Sequence, residues 1–267
     1  MCEFHTPKSM IIDNLLKIRK LLFRNAGLRQ TIFKNTFWLL LAGGISKILS
    51  FFLVIYVAKI LGATEYGKFT FAVAFIGLFS VFPDLGISKI LTREFAKDKK
   101  REEDFPAIAS LKIILGAATI GLIFIGSFFV TQDIVIRKLM WVLSLYILMN
   151  NSLDTIFAFF RARQHMEYQA GAQIIQATAT TVFGLFVIFN FPTVQNLSLS
   201  YLLAALLYSI FILIFFHFKV FRLRLSFKKS VWKNYLAMSW PMALSGFFGA
   251  MYVNIDSTIM GYLGQIT

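Results

Sequence analysis

Acid is scarce in this chain: 13 Asp and Glu stand against 27 Lys and Arg in 267 residues, a formal net charge of +14. Cysteine is scarcer. Cys2 is the single one, which excludes an intrachain disulfide and any multi-cysteine metal site. Charged residues of both signs make up only 15% of the chain, where a soluble domain carries about a quarter. Histidine is limited to His5, His165 and His217, which lie apart and read as interfacial residues. There is no His-x-Glu-x-x-His pattern, no glycine-rich phosphate loop and no pair of loop carboxylates. A membrane-bound glycosyltransferase or acyltransferase would need such a loop, so the chain does not read as an enzyme.

What fills the chain instead is apolar. It is 58% hydrophobic with 31 Phe, and runs of about 20 apolar residues recur, the length that crosses a ~30 Å hydrocarbon core at ~1.5 Å per residue. This predicts an all-α, polytopic integral membrane protein of about seven transmembrane helices. The spans read as 35–61, 68–82, 107–130, 139–160, 170–190, 197–216 and 236–262. Residues 62–67 form a turn, and Pro83-Asp84-Leu85-Gly86 interrupts the second span. Pro83 and Pro241 read as bend points, since each removes a helix hydrogen bond. Residues 1–34 carry seven basic residues, and Ile11, Leu15, Ile18 and Leu22 share one helical face. No apolar core with a small-residue cleavage site precedes the spans, so the segment is not a signal peptide. It reads as a basic amphipathic helix on an anionic membrane face, with a disordered basic tail as the alternative.

The placement of the basic residues predicts an orientation. Segments 1–34, 84–105, 161–169 and 217–234 hold seven, six, two and six of them; the opposite turns hold only Lys68, Arg137 and Lys138. Under the positive-inside rule the first group faces the cytoplasm. The expectation is a multi-pass protein of the cytoplasmic (inner) membrane, N-terminus inside, in contact with membrane lipids. The net charge is then topological, and no nucleic-acid partner is expected.

Polar residues inside the spans are the candidates for function. Lys47 sits near the middle of the first span, one turn after Gly43-Gly44, and Ser50, Phe51 and Val54 share its face. A lysine at that depth costs ~3 kcal/mol on insertion scales and rarely faces lipid. In the fifth span Gln169, Gln173, Gln176 and Thr180 form a stripe, with Thr181 beside it. Such a stripe either bonds another helix or lines a cavity. Asn150, Asp154 and Arg161 share a face of the fourth span, and Asn254 and Asp256 lie towards the outer end of the seventh. Lys59 and Lys112 lie close enough to span ends to snorkel. Asp154 can equally pair with Arg161 or cap a helix end.

Several stretches carry a resemblance. They are Leu61-Gly62, Glu65-Tyr66-Gly67, Asp84-Leu85-Gly86 and Thr92-Arg93-Glu94 within 61–98, then NNSLDTIFAFFRARQ at 150–164 and NIDSTIMGYLG at 254–264. In this order they resemble Wzx-type flippases of O-antigen and other polysaccharide repeat units, the polysaccharide branch of the multidrug/oligosaccharidyl-lipid/polysaccharide flippase superfamily. Such proteins have about twelve to fourteen spans in two six-span lobes. Sliding the sequence by 202 residues lays Trp38 on Trp240, Gly44 on Gly246 and Leu61-Gly62 on Leu263-Gly264. The resemblance thus implies an N-terminal lobe at 35–216, a basic inner linker at 217–235 and the first helix of a second lobe at 236–267, so that the chain reads as truncated after span 7.

The resemblance also implies a function: moving a polyprenyl-diphosphate-linked saccharide across the membrane by alternating access. Lys47, with Arg93 or Lys112 near the inner mouth, would attract the phosphate. Gln173, Gln176, Thr180 and Asn150 would line the cavity. Asp154 and Asp256 are the candidates for coupling to a proton or sodium gradient, and neither a cofactor nor a metal is expected. Polysaccharide polymerase or assembly proteins would be partners, and a lone lobe would have to self-associate to transport. A peptidoglycan-precursor flippase, a multidrug antiporter and a non-transporting membrane fragment are the alternatives.

Overall fold

A computed structural model describes residues 23, 25, 27–222 and 224–264. The amphipathic segment through Ile11, Leu15, Ile18 and Leu22 lies outside the described residues. Among the described residues every regular element is helical: α1 (Leu28–Leu78), α2 (Ile87–Lys97), a 3-10 turn (Lys99–Asp104), α3 (Phe105–Val130), α4 (Ile134–Ala162), α5 (Met166–Asn190), α6 (Val194–Lys219) and α7 (Lys229–Leu263).

At 51 residues, α1 is far longer than a bilayer requires. It folds back at Gly62, whose φ of 79° and ψ of 170° fall in a region open almost only to glycine. The contacts record the reversal. The first limb, 28–61, runs parallel to α5, from Lys34 beside Glu167 to Tyr56 beside Phe189. The second limb, 63–78, follows the reversal, and Gly126 of α3 lies against its Phe75. Among the described residues six helices are long and apolar enough to cross a membrane, and the doubling of the first gives seven passes. Alanine at position 62 is expected to cost about 1–3 kcal/mol of backbone strain. A lowered thermal-unfolding midpoint of the detergent-solubilised protein would register it.

Helix ends are set by local chemistry. The Asp133 carboxylate caps α4 by accepting from Val135 N at 2.7 Å, and Thr193 Oγ1 caps α6 by accepting from Asn196 N at 3.3 Å. Pro106 stands in the first turn of α3, where its missing N–H has no helical partner to lose. The second limb stops at Leu78, earlier than the span to Phe82 expected from sequence. Pro83 therefore sits in the following turn and bends no helix. Leu85 and Gly86 close that turn with φ of 46° and 74°, and a side chain at Gly86 would press on Met242 of α7. Pro241 is accommodated within a continuous α7.

Two apolar clusters hold the helices together. One, at the end of the molecule that contains Lys34, gathers Phe95, Phe105, Phe159, Phe216 and Tyr235. The other, nearer Gly62, gathers Leu53, Phe71, Phe75, Ile123, Leu139 and Leu197. The outward surface stays apolar, with Phe51, Phe129, Phe186 and Phe218 all exposed, as suits helices whose solvent is lipid. Helix α7 lies antiparallel along the second limb, with Gly261 against Phe71 and Asn254 against Gly77. Its foot is fixed to α3 by a hydrogen bond from Trp232 Nε1 to Ala107 O at 2.8 Å. Yet only Tyr235 and Ser239 of α7 are buried. Shifting the first limb by 202 residues lays its bounds, 28 and 61, on 230 and 263, next to the observed Lys229 and Leu263. Helix α6 runs to Lys219 and α7 starts at Lys229, so helix takes in both ends of the 217–235 linker read from sequence.

The basic segments converge at one end. Arg163 meets Glu102 at 2.6 Å, Arg101 meets Glu94 at 2.6 Å, and Lys34 meets Glu167 at 2.9 Å. Lys68 pairs with Glu65 and Asp133 at the Gly62 end.

Candidate functional site

Between the first limb of α1 and helices α4, α5 and α6 lies a cavity of about 410 Å³. The limb contributes Gly43, Ser46, Lys47, Ser50 and Leu53, and α5 contributes Gln173, Gln176, Ala177, Thr180 and Thr181. Tyr146 of α4 and Tyr201 of α6 complete the lining. Both α1 and α5 present these groups at helical spacing, so each supplies one polar wall. Small residues on the limb leave the space open: nothing lies within 4 Å of where a Gly43 side chain would begin. Gly43 and Gly44 are therefore not the close helix contact that small residues in a span suggest. That contact is at Gly184 of α5, where an added Cβ would stand 2.9 Å from Leu53 Cδ1.

The structure thus brings Lys47, Gln173, Gln176 and Thr180 into one space. Asn150 stands behind it: Gln176 Nε2 donates to Asn150 Oδ1, and Asn150 Nδ2 donates to Tyr146 O at 2.9 Å. Asn150 thereby orients the Gln176 amide. Lys47 is exposed, and among the described residues no carboxylate lies within ion-pair distance of it. Every other side chain lining the cavity is neutral.

Other sequence candidates are placed elsewhere. Lys112 is buried, 3% exposed, and its ammonium is committed to Asp84 Oδ1 at 2.7 Å, Ser88 Oγ at 2.9 Å and Asn151 O at 3.0 Å. Arg93 projects from α2 at the basic end and pairs with Glu94 at 3.0 Å. Neither cation lines the cavity. Gln169, the first member of the α5 stripe, accepts from Arg161 Nη1 at 3.2 Å, and Arg161 also lies 3.7 Å from Asp154 Oδ1. Asp256 is exposed on α7, away from the cavity. No group of three or more His, Cys, Asp and Glu fit to hold a metal exists among the described residues.

Sequence reasoning missed two features. Tyr146 and Tyr201 face each other with ring centroids 5.8 Å apart; the available signal was that Tyr146 lies one helical turn before Asn150. The second is a latch at the basic end. Lys34, one of the seven basic residues of segment 1–34, is fully buried and donates to Gln164 O at 3.0 Å and Glu167 Oε2 at 2.9 Å. Asn35 Nδ2 donates to Gln164 Oε1 at 2.7 Å beside it. These bonds fasten the foot of the first limb to the α4–α5 turn.

Comparison with known proteins gives this geometry a family. Residues 32–267 match the family described as polysaccharide biosynthesis protein. No curated protein matches the chain in sequence. Among solved structures the chain is similar to an outward-facing multidrug resistance MATE family transporter of the MOP superfamily, at 15% identity and a TM-score of 0.58. It is also similar to a MOP superfamily transporter from Pyrococcus furiosus, described as having a binding pocket of reverse polarity, at 16% identity and a TM-score of 0.58. Each match covers 85% of this chain and 54% of the other, so the chain spans about half the length of these structures. Both solved structures are described as transporters. With its seven apolar passes and a fold it shares with these solved transporters, the chain is a multi-pass membrane protein that belongs to the polysaccharide biosynthesis protein family.

Proposed function

We propose that this chain is the N-terminal part of a flippase for a lipid-linked saccharide, with a polyprenyl-diphosphate head group as the anion it handles. The carrying observation is Lys47, the one cation among the residues that line a cavity of about 410 Å³, with neutral amides and hydroxyls around it. A fixed positive charge in a low-dielectric cleft concentrates anions, and charge-assisted hydrogen bonds to phosphate are the strong ones. Gln173, Gln176 and Thr180 offer donors and acceptors to sugar hydroxyls or to water. On this reading the basic end faces the cytoplasm, the membrane is the inner one, and a second lobe begins with α7. Rocking of the two lobes would expose the cavity to each side in turn. Coupling to an ion gradient would fall to Asp154 or Asp256, and polysaccharide polymerase or assembly proteins would act on the product. A multidrug antiporter for organic cations would need a carboxylate in the cavity, and none lines it.

The test is reconstitution of the full-length protein in liposomes with a fluorescent polyprenyl-diphosphate disaccharide. The expected result is translocation of this lipid, with little for the matching polyprenol-linked sugar without phosphate. Efflux of ethidium with no lipid translocation would overturn the reading.

A further inference from the structure

A second cavity, of about 180 Å³, lies on a different face of the molecule, between α3, α4 and α6. Its walls are Phe105, Ala109 and Ile113 of α3, Ile156 of α4 and Leu213 of α6. It opens on the lipid-facing surface, where Ile113 is 52% exposed. Lys112 lines it with its stem only, because its ammonium is bound to Asp84, Ser88 and Asn151.

The mouth is different. Arg224 and Leu225, from the linker between α6 and α7, form one edge of the slot. Their position is fixed from both sides. Phe221 packs on Phe105 with centroids 5.4 Å apart, and Ser226 N donates to Ser110 Oγ at 3.0 Å. Arg224 is exposed, and among the described residues no carboxylate pairs with it. The segment from His217 to Lys233 also carries Lys219, Arg222, Lys228 and Lys229, with no Asp or Glu within it. The slot lies one to two turns inside the basic end of the helices, the depth at which an acyl chain begins below its head group.

We infer that this slot binds an anionic phospholipid of the bilayer, one acyl chain lying against Ala109, Ile113 and Leu213 and the phosphate on the Arg224 guanidinium. Arg suits this role because its planar fork meets phosphate oxygens in pairs. The occupied slot ties the α6–α7 linker to the membrane surface. This site does not depend on what the first cavity transports.

Native mass spectrometry of the full chain in detergent, titrated with phosphatidylglycerol or phosphatidylcholine, tests the inference. Phosphatidylglycerol is expected to bind about fivefold more tightly, the contribution of one basic residue at an anionic surface. Arg224→Gln should remove that preference, whereas Arg222→Gln, outside the slot, should keep it. Ala109→Phe should fill the slot and lower the binding of both lipids; if it does not fold, Ile113→Trp at the exposed rim makes the same test. Equal losses from Arg222→Gln and Arg224→Gln would mean a diffuse basic surface and overturn the site. Undiminished binding to the filled-slot variants would overturn it as well.

Discussion

Asp84→Ala is expected to destabilise the folded chain by about 3–5 kcal/mol, the usual cost of stranding one partner of a buried ion pair. The Asp84 carboxylate lies 2.7 Å from Lys112 Nζ, and the two side chains are 17% and 3% exposed. Without it the ammonium keeps only Ser88 Oγ and Asn151 O, two neutral acceptors that cannot balance its charge. Asp84 has a second task. It accepts from Ser88 N at 3.2 Å and Ser88 Oγ at 2.6 Å, so it also places a negative charge at the N-terminus of α2, where the helix dipole favours it. The pair joins α3 to the turn that connects the second limb of α1 with α2. The double variant Asp84→Ala/Lys112→Met should recover most of the loss, because removing both charges removes the stranded one and keeps the packing of the stem. Thermal or denaturant unfolding of the three variants in detergent measures this. A double variant no more stable than Asp84→Ala would show that the loss comes from α2 capping rather than from the unpaired lysine.

The pass count was legible in the sequence because lipid imposes one rule. Each crossing needs a run of apolar residues, and the turns carry the charges. The reversal at Gly62 was readable too, since a glycine closes the apolar run there. The end of the second limb at Leu78 was not: Phe79, Val81 and Phe82 carry the apolar run on to the Pro83-Asp84-Leu85-Gly86 interruption, so the sequence placed the break about one turn too late. For the site, the α5 stripe and Lys47 could be found separately from periodicity and from the cost of intramembrane charge. That they share one cavity depends on the parallel packing of the first limb on α5, which no local pattern encodes. Cations were the least legible. Depth along a span set Lys47 apart from Lys34 and Lys112, but it did not show their surroundings: Lys34 is latched to Glu167, Lys47 faces an open cavity and Lys112 is sealed against Asp84. What separates them is the position of a carboxylate far away along the chain. Tyr146 and Tyr201 were hidden for a similar reason, since an aromatic in a membrane span is ordinarily packing material.

Lys47 is where the proposal can fail most plainly. A hydrogen bond to a charged group contributes about 1.5–3 kcal/mol, and each 1.36 kcal/mol is tenfold in rate. If the bond to phosphate is made as the lipid enters the cavity, Lys47→Ala should slow translocation by roughly ten- to a hundredfold. Lys47→Met, which keeps the apolar stem and removes the charge, should do the same. Lys47→Arg should stay within a few-fold of the parent. Folding should be little affected, because Lys47 has no carboxylate partner among the described residues to strand. The most direct measurement is the initial rate at which a fluorescent polyprenyl-diphosphate disaccharide crosses liposomes holding equal amounts of each full-length variant. Loss is expected with alanine and methionine, and retention with arginine. Alanine and methionine variants that flip the lipid at the parental rate would contradict the proposal.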